Sequence, residues 1–474
     1  MVLVAGVDSS TQSCKVVIRD SETGALVRSG RASHPSGTEV NPSHWWDALQ
    51  SAIADAGGLN DVAAISIGGQ QHGMVLLDSD GNVVRDALLW NDTRSAPDAQ
   101  RLIDHFGADY LASHTGSIPV ASFTSTKVAW VAANEPANAS RVAAICLPHD
   151  YLSWRLAGYG PVGQSQFGPD LSKLASDASD ASGTGYFNPA TGEYVTEILS
   201  WILGRVPALP AIVKPGSFAY EANSTREGFK GAIAGGAGDN AAAGLGAGAV
   251  DGDVIVSLGT SGTVFSVAAT GTQDKTGCIA GFASASGSYL PLVCTLNAAR
   301  VLDKFADLLQ VSHSQLGELA LQAAPGAGGL VLVPYFEGER TPNLPDATAS
   351  LSGLTLANST RENFARAAIE GMLCGLADGL EALIRAGVEA KRILLVGGAA
   401  ANPAVQQIAA QIFGIPVVVP APGEYVADGA ARQAAWALTG SQPSWAIETL
   451  AVVEIPQENV IRLQYQSVAS KLLG

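Results

Sequence analysis

The chain has 474 residues, of which 47% are hydrophobic and 15% charged, a composition for compact domains with well-buried cores and a length beyond what one core serves. A formal net charge of −16 with no run of Lys and Arg argues against nucleic acid as a partner, so any phosphate bound must be held by main-chain N–H groups and a metal ion. The five cysteines, at 14, 146, 278, 294 and 374, are odd in number and lack Cys-x-x-Cys spacing, which argues against a disulfide framework and a zinc site and points to reduced, mostly buried thiols.

The opening Met1–Val7 carries no basic leader and its apolar run stops at Asp8, too short for a signal peptide or a membrane span; the expectation is a cytoplasmic protein with no membrane partner. Residues 2–7 read as a strand, Asp8–Ser13 as a hydroxyl-rich tip and Lys15–Ile18 as the returning strand of a hairpin. Ser43 is expected to cap a helix through Trp45, Trp46, Leu49 and Ile53 that ends at Gly57-Gly58. Val62–Ile67 reads as a buried strand running into Gly68-Gly69-Gln70-Gln71-His72-Gly73, which puts polar side chains at a strand end, where open α/β sheets place ligands. Asp80-Gly81 signals a second hairpin between Val75–Leu77 and Val83-Val84, and Leu88–Arg94 brings a further polar group after an apolar run. Gly158–Lys173, rich in Gly, Gln and Pro, reads as a surface loop.

Near the middle, Gly235–Gly248 is built almost entirely of small residues and carries one charge, Asp239. Such a backbone lets a ligand come within hydrogen-bonding distance, so Asp239 reads either as a catalytic carboxylate or as the cap of a helix over 240–246. The Ala241–Gly248 tract marks the expected boundary between an N-terminal domain, 1–247, and a C-terminal domain, 248–474. Beyond it, Asp253–Val267 repeats the opening pattern of strand, Gly/hydroxyl tip and strand, which suggests an internal duplication. Ser359 and Glu362 form a capping box for a helix through Phe364, Ala368, Met372, Leu376 and Leu383. Ile393–Val396 is then a strand delivering Gly397-Gly398 and Asn402-Pro403 to a helix start, either a nucleotide-binding turn or a plain connection.

Two hydroxyl/Gly tips offer N–H and O–H donors suited to the oxygens of a triphosphate. Asp8 could hold Mg²⁺ directly or through water, or bond its own turn. His72 reads either as a hydrogen-bonded structural residue or as a site residue. Gly244-x-Gly246-x-x-Ala249 lacks the strand and βαβ frame of a dinucleotide fingerprint, and no Gly-Lys-Ser/Thr is present for a Walker-type loop.

Ser122-x-Thr124-x-x-Lys127-Val128-x-Trp130-Val131 is similar to the first signature of the FGGY carbohydrate kinases, with Ala133 departing where a polar residue is usual. Ala349-x-Leu351-x-Gly353-Leu354 followed by Asn363-Phe364-x-x-Ala367-Ala368-Ile369-Glu370 resembles the second. The resemblance runs nearly end to end and implies an α/β protein of two duplicated actin/hexokinase-like (ribonuclease H-like) domains with an interdomain cleft, using ATP and Mg²⁺. It implies Asp239 as catalytic base and Gln71, His72, Trp90, Asp92, Arg94 and Asn240 as sugar contacts. For the nucleotide it implies Asp8, Thr11 and Lys15 of the first tip, Gly259, Thr260 and Ser261 of the second, and Gly397, Gly398 and Asn402 of an adenosine loop, with Asp8 also the metal ligand. Three departures stand out: Ser10 where the family's phosphate loop has Gly, Ala399 where a third Gly is usual, and Glu337 where Ser is frequent.

Glycerol kinases of this family carry an Arg-Glu pair where Gln71-His72 stands here, so the resemblance implies a ketopentose kinase that phosphorylates the 5-hydroxyl of D-xylulose. The alternatives are a kinase for ribulose, gluconate or a deoxy sugar, or a non-catalytic actin/chaperone-like ATP-binding protein. Asp239 together with Gln71-His72 speaks against the last, which has no use for a sugar pocket. The expected partners are small molecules, with a homodimer left open.

Overall fold

The computed structural model describes residues 1–226 and 228–472. They form two compact units, one of Met1–Gly248, Gln273–Leu290 and Gly423–Ala446, the other of Ala249–Thr272, Pro291–Pro422 and the chain from Ile447 onward. In the first, β1 (Leu3–Ser9), β2 (Ser13–Asp20) and β3 (Leu26–Ser33) form an antiparallel meander, and β4 (Val62–Gly69) lies parallel to β1. β5 (Phe218–Tyr220) and β6 (Ala232–Ala234) complete the order β5-β6-β4-β1-β2-β3, with β6 parallel to β4 and β5 antiparallel to β6.

The second unit contains the same device. β7 (Asp253–Leu258), β8 (Gly262–Ser266) and β9 (Tyr289–Thr295) are again an antiparallel meander, and β10 (Arg392–Val396) lies parallel to β7. β11 (Val417–Pro420) is parallel to β10 and β12 (Thr449–Val453) antiparallel to β11. Six strands therefore recur in one order and polarity, and the duplication suggested by the two hairpins extends across both sheets.

β1 is buried at every position, because helices cover both of its faces. One of them, Tyr425–Thr439, comes so close that a Cβ added to Gly6 would lie 1.9 Å from the Ala427 carbonyl oxygen. The same helix packs on the short helix Asp239–Gly246, where a Cβ on Gly246 would lie 1.9 Å from the Tyr425 carbonyl oxygen and one on Gly429 1.8 Å from that of Ala242. The small-residue run after Asp239 is thus a site of backbone-on-backbone packing.

Several local expectations shift for identifiable reasons. The first helix runs Pro42–Asp55 and is capped by Asn41, whose side chain accepts from the Ser43 N–H at 3.0 Å; Pro42 occupies the first turn, so the cap falls before it rather than at Ser43. The long helix Arg361–Arg385 is capped by Thr360, one residue later than the Ser359 box, while the Ser359 hydroxyl bonds back to the Thr355 carbonyl. Val75–Leu77 pairs mainly with Ala144–Cys146, leaving a single bridge from Leu77 to Val83, since a wholly buried strand gains more from a second buried strand than from its own short return. The Gly158–Lys173 loop is irregular as expected, closing in a short turn at Leu171–Lys173. All five cysteines are free thiols, with Cys14, Cys146 and Cys374 buried. Among the described residues no helix is long and apolar enough to cross a membrane.

Gly429→Val would force the two close-packed helices apart. Thermal unfolding of that variant is expected to show a clearly lowered midpoint, by a destabilisation of about 3 kcal/mol; an unchanged midpoint would mean the contact yields without cost.

Candidate active site

Three chain segments reach one end of the first sheet side by side. Asp8 and Ser9 close β1 opposite Gly68 and Gly69 of β4, and Ala237-Gly238 pairs with the same two glycines from the other side. Asp239 follows at once as the first residue of its helix, with Gly238 in the cap position, so the alternative in which Asp239 is the N-cap does not hold. Its carboxylate accepts from the Asn240 N–H at 2.7 Å and from Asn240 Nδ2 at 2.9 Å. Part of Asp239 reaches solvent, yet the protein packed around the carboxyl pushes its pKa up to about 7; the Asn240 N–H opposes this and the charge of Asp8 reinforces it.

Asp8 is buried, and burial raises its pKa to about 6 against the pull of Ser10 and Lys15. The Ser10 hydroxyl donates to Asp8 Oδ1 at 2.7 Å, so the residue replacing the family's glycine binds the carboxylate directly. Lys15 Nζ lies 3.8 Å from Asp8 and 2.5 Å from Glu424. Thr11 accepts from Trp90 Nε1 at 2.9 Å and reaches Gln70 Oε1 at 3.4 Å, which brings the first tip and Trp90 together.

Gln71 Nε2 donates to the Ser179 carbonyl at 3.2 Å, while its Oε1 accepts from Asn240 at 3.5 Å. His72 has a left-handed backbone, φ 69°, uncommon for a side chain of its size. Its Nδ1 lies 2.6 Å from the Gly183 carbonyl oxygen, and its ring packs on Phe123 at 4.8 Å. The His72 carbonyl accepts from Thr124 Oγ1 at 3.2 Å and from the buried Lys127 Nζ at 2.9 Å, which also donates to the Ser122 carbonyl at 2.6 Å. The Ser122-x-Thr124-x-x-Lys127 signature is therefore a clamp on the main chain of His72.

Asp92 and Arg94 spend their polar atoms on their surroundings. Asp92 accepts from Thr38 at 2.8 Å and from Arg94 Nε at 2.9 Å, and Arg94 also pairs with Glu39 and stacks on Trp130. Burial opposes the Asp92 charge, but these donors hold its carboxyl below the usual range. Trp90 alone of this trio stands exposed.

In the second unit, the Gly259–Ser261 tip, exposed at Gly259 and Thr260, follows β7, and Gly397 follows β10 at the same sheet end, as the pairing of Ser257 with Val396 requires. Gly397 has φ 99°, and a Cβ there would lie 2.5 Å from the Leu258 carbonyl oxygen; a Cβ on Gly398 would meet nothing within 4 Å. Asn402 caps the next helix, Pro403–Phe413, accepting from the Ala404 N–H at 2.9 Å and donating to the His313 carbonyl at 2.8 Å. Glu337 forms an exposed ion pair with Arg300 at 2.7 Å.

One further segment lines this sheet end without a local signal in the sequence. Asp177–Gly183 accepts from the Gly238 N–H through Ser179 Oγ at 3.1 Å, holds Gln71 through the Ser179 carbonyl and meets His72 through that of Gly183. Its alternation of acids, hydroxyls and small residues resembles the two tips, but nothing local indicates which groups it binds.

Residues 3–246 match the N-terminal domain of the FGGY family of carbohydrate kinases, and residues 254–438 match its C-terminal domain. The chain belongs to the FGGY family of carbohydrate kinases. This kinase is 43% identical to a xylulose kinase of Streptomyces rubiginosus over 97% of its own length and 95% of the relative's. It is 33% identical to a xylulose kinase of Haemophilus influenzae, covering 91% of this chain and 90% of that one. The crystal structure of xylulose kinase from Bifidobacterium adolescentis superposes with a TM-score of 0.92 at 47% identity, covering 99% of each chain. A gluconate kinase of Lactobacillus acidophilus, at 23% identity and a TM-score of 0.87, shares the fold. As a carbohydrate kinase, the enzyme transfers a phosphoryl group from ATP to a sugar.

Burial lowers the Lys127 pKa from its ordinary 10.5 to about 7, opposed by Asp92. Between those values the unfolded chain binds more protons than the folded kinase, so this residue's contribution makes stability rise with pH across that window. The denaturation midpoint of the wild type relative to Lys127→Met is expected to increase from near pH 7 towards pH 10. A pH-independent difference would mean that Lys127 stays charged in the fold.

Proposed function

We propose that this kinase phosphorylates D-xylulose on its 5-hydroxyl, giving D-xylulose 5-phosphate, with Asp239 as the general base. The observation that carries the substrate is similarity over nearly the full chain, at 43% and 47% identity, to proteins named xylulose kinase. The geometry supports the roles: Asn240 bonds Asp239 on one side and Gln71 on the other, so a sugar contact and the base share one amide. Gln71 and His72 are hydrogen-bonding groups suited to the hydroxyls of a free ketose, and the exposed Trp90 offers a flat face beside the first tip. Asp92 and Arg94 would then shape this wall by pairing with each other.

Phosphoryl transfer rests mainly on positioning and charge neutralisation. Asp239 accepts the hydroxyl proton as the bond to phosphorus develops, and its raised pKa makes it a better acceptor than an ordinary carboxylate. Asp8, Thr11 and Lys15 would face the phosphates, together with Gly259, Thr260 and Ser261; Gly397, Gly398 and Asn402 would face the adenosine. The residues fit Mg²⁺: Asp8 is a buried carboxylate whose charge raises the Asp239 pKa, an oxygen ligand of the kind that ion takes. Asp8 would hold the ion directly or through water, and the ion would supply charge neutralisation on the phosphate oxygens. We read 1–247 as the sugar-binding half and 248–474 as the ATP-binding half of a cytoplasmic enzyme.

In a coupled assay of ADP release, D-xylulose is expected to give the highest kcat/KM among D-xylulose, D-ribulose, gluconate and glycerol. A roughly tenfold preference for another sugar, about 1.4 kcal/mol of transition-state binding, would replace the substrate while leaving the family intact.

Asp239→Asn is expected to lose kcat by about 10²–10⁴ while keeping ATP affinity, because the amide preserves shape but cannot take the proton. The base must be ionised, so wild-type kcat/KM should fall on the acid side with an apparent pKa above the ordinary carboxylate range. Near-normal turnover of the variant would dismiss Asp239 as the base.

A further inference from the structure

A buried charge cluster lies behind the Asp239 turn and has no part in the chemistry above. His149, near the start of the helix Pro148–Ala157, is wholly buried, as are Asp150 and Asp180, with Asp177 nearly so. Its Nδ1 lies 2.6 Å from Asp180 Oδ2, while its Nε2 lies 3.2 Å from Asp150 Oδ1 and 3.3 Å from the Gly235 carbonyl oxygen. A neutral imidazole has one nitrogen without a proton, which here would confront an acceptor lone pair. Nδ1 faces the Asp180 carboxylate and Nε2 the Gly235 carbonyl, an arrangement that a ring with two protons and a positive charge satisfies at both nitrogens. Burial alone would strip that charge, but the surrounding aspartates outweigh it and push the His149 pKa to about 10.

The His149, Asp150 and Asp180 ligand atoms lie within 4.8 Å of one another, a spacing compatible with a metal ion. Both ring nitrogens, however, are already engaged, Nδ1 by Asp180 and Nε2 by the Gly235 carbonyl, which leaves neither open to an ion. The arrangement is that of an ion-pair cluster.

This cluster is joined to the segment that delivers Asp239. Gly236 has φ 83°, and a Cβ on it would lie 2.3 Å from His149 Cδ2, so the ring forms the floor of the turn. Gly235 is bonded by His149, and Gly238 is bonded by Ser179, the neighbour of Asp180. The charged groups facing His149 are Asp150 from its own helix and Asp177 and Asp180 from the segment beside it; Asp239 acts on Asp180 from beyond the turn, and β4, which bears no titratable side chain, brings Gly69 against the ring's own residue.

We propose that His149 is a positioning residue: an imidazolium locked between Asp150 and Asp180 that anchors the Gly235–Gly238 turn and thereby aims Asp239 at the sugar hydroxyl. This rests on Asp239 being the base. Losing the cation would leave buried carboxylates uncompensated and free the turn.

The test pairs kinetics of His149→Gln and His149→Lys with the ¹⁵N spectrum of the histidine rings. His149→Gln is expected to lose roughly 100-fold in kcat, the scale of an ångström-level misplacement, with little change in KM for ATP. His149→Lys, which restores a cation, should recover at least about tenfold of that loss; a purely structural role would not distinguish the two variants by charge. In the wild type, one histidine should keep both ring nitrogens protonated at about pH 8, well above the ordinary histidine pKa. Near-wild-type kcat in His149→Gln, a Lys variant no better than the Gln variant, or the absence of a doubly protonated ring would each overturn the proposal. Should His149→Gln fail to fold, His149→Lys is compared with the wild type directly: substantial activity supports the role of the cation, and a folded but inactive protein overturns it. Asp239→Asn separates the two readings. If that variant turns over normally, the base assignment fails; if it is inactive while His149→Gln is not, only the positioning role fails.

Discussion

Backbone-on-backbone packing around the helix Tyr425–Thr439 is the constraint from which the geometry of the first unit follows. Gly6 of β1, Gly246 and Gly429 each leave room that a single methyl group would fill with a clash against main chain. Because of this packing, a helix from late in the chain lies on the opening strand and on the short helix that begins with Asp239. Small residues here contribute closeness: each removed Cβ lets rigid elements approach, and the position of the carboxylate inherits that rigidity.

Charge burial is the second theme. Asp8, Asp239, Asp180, Asp177 and Asp150 are carboxylates packed with their pKa values raised, desolvation being the largest cause for each. Such a concentration is tolerable only with compensation, and the structure supplies it locally: Lys15 and the Ser10 hydroxyl at Asp8, His149 at Asp150 and Asp180, and Asn240 at Asp239. A cluster of this kind keeps proton affinity near neutrality at the sheet end, which suits proton acceptance during phosphoryl transfer. The net charge of −16 gives long-range help to no phosphate, so binding must come from directed interactions at close quarters.

The His72 segment shows how one polar position can be over-determined. His72 adopts a left-handed backbone that an isolated chain would rarely choose, and it is held there from both sides of its carbonyl by Thr124 and Lys127 and at its ring by Gly183. Lys127 surrenders much of its affinity for a proton to serve as that clamp. Desolvating an ammonium to fix one carbonyl is costly unless the fixed group has to be where it is.

Much of this was legible in the residue order. The strand–tip–strand repeat at both ends of the duplication, the polar group after β4 and the lone charge in Gly235–Gly248 can be read because strand periodicity and small-residue runs are local properties. The signatures around Lys127 and Glu370 marked the family for the same reason, being fixed spacings along one chain. Local propensity also misled by single residues, at Ser43 and Ser359, where a neighbouring Asn or Thr made the cap instead. The tertiary structure alone decided what those residues hold: that Lys127 grips His72, that Asp177–Gly183 supports Gln71, His72 and the Asp239 turn, and that His149 lies between Asp150 and Asp180. Those pairings join positions far apart in the chain, and a hydrogen bond or a buried charge has no partner until folding supplies one.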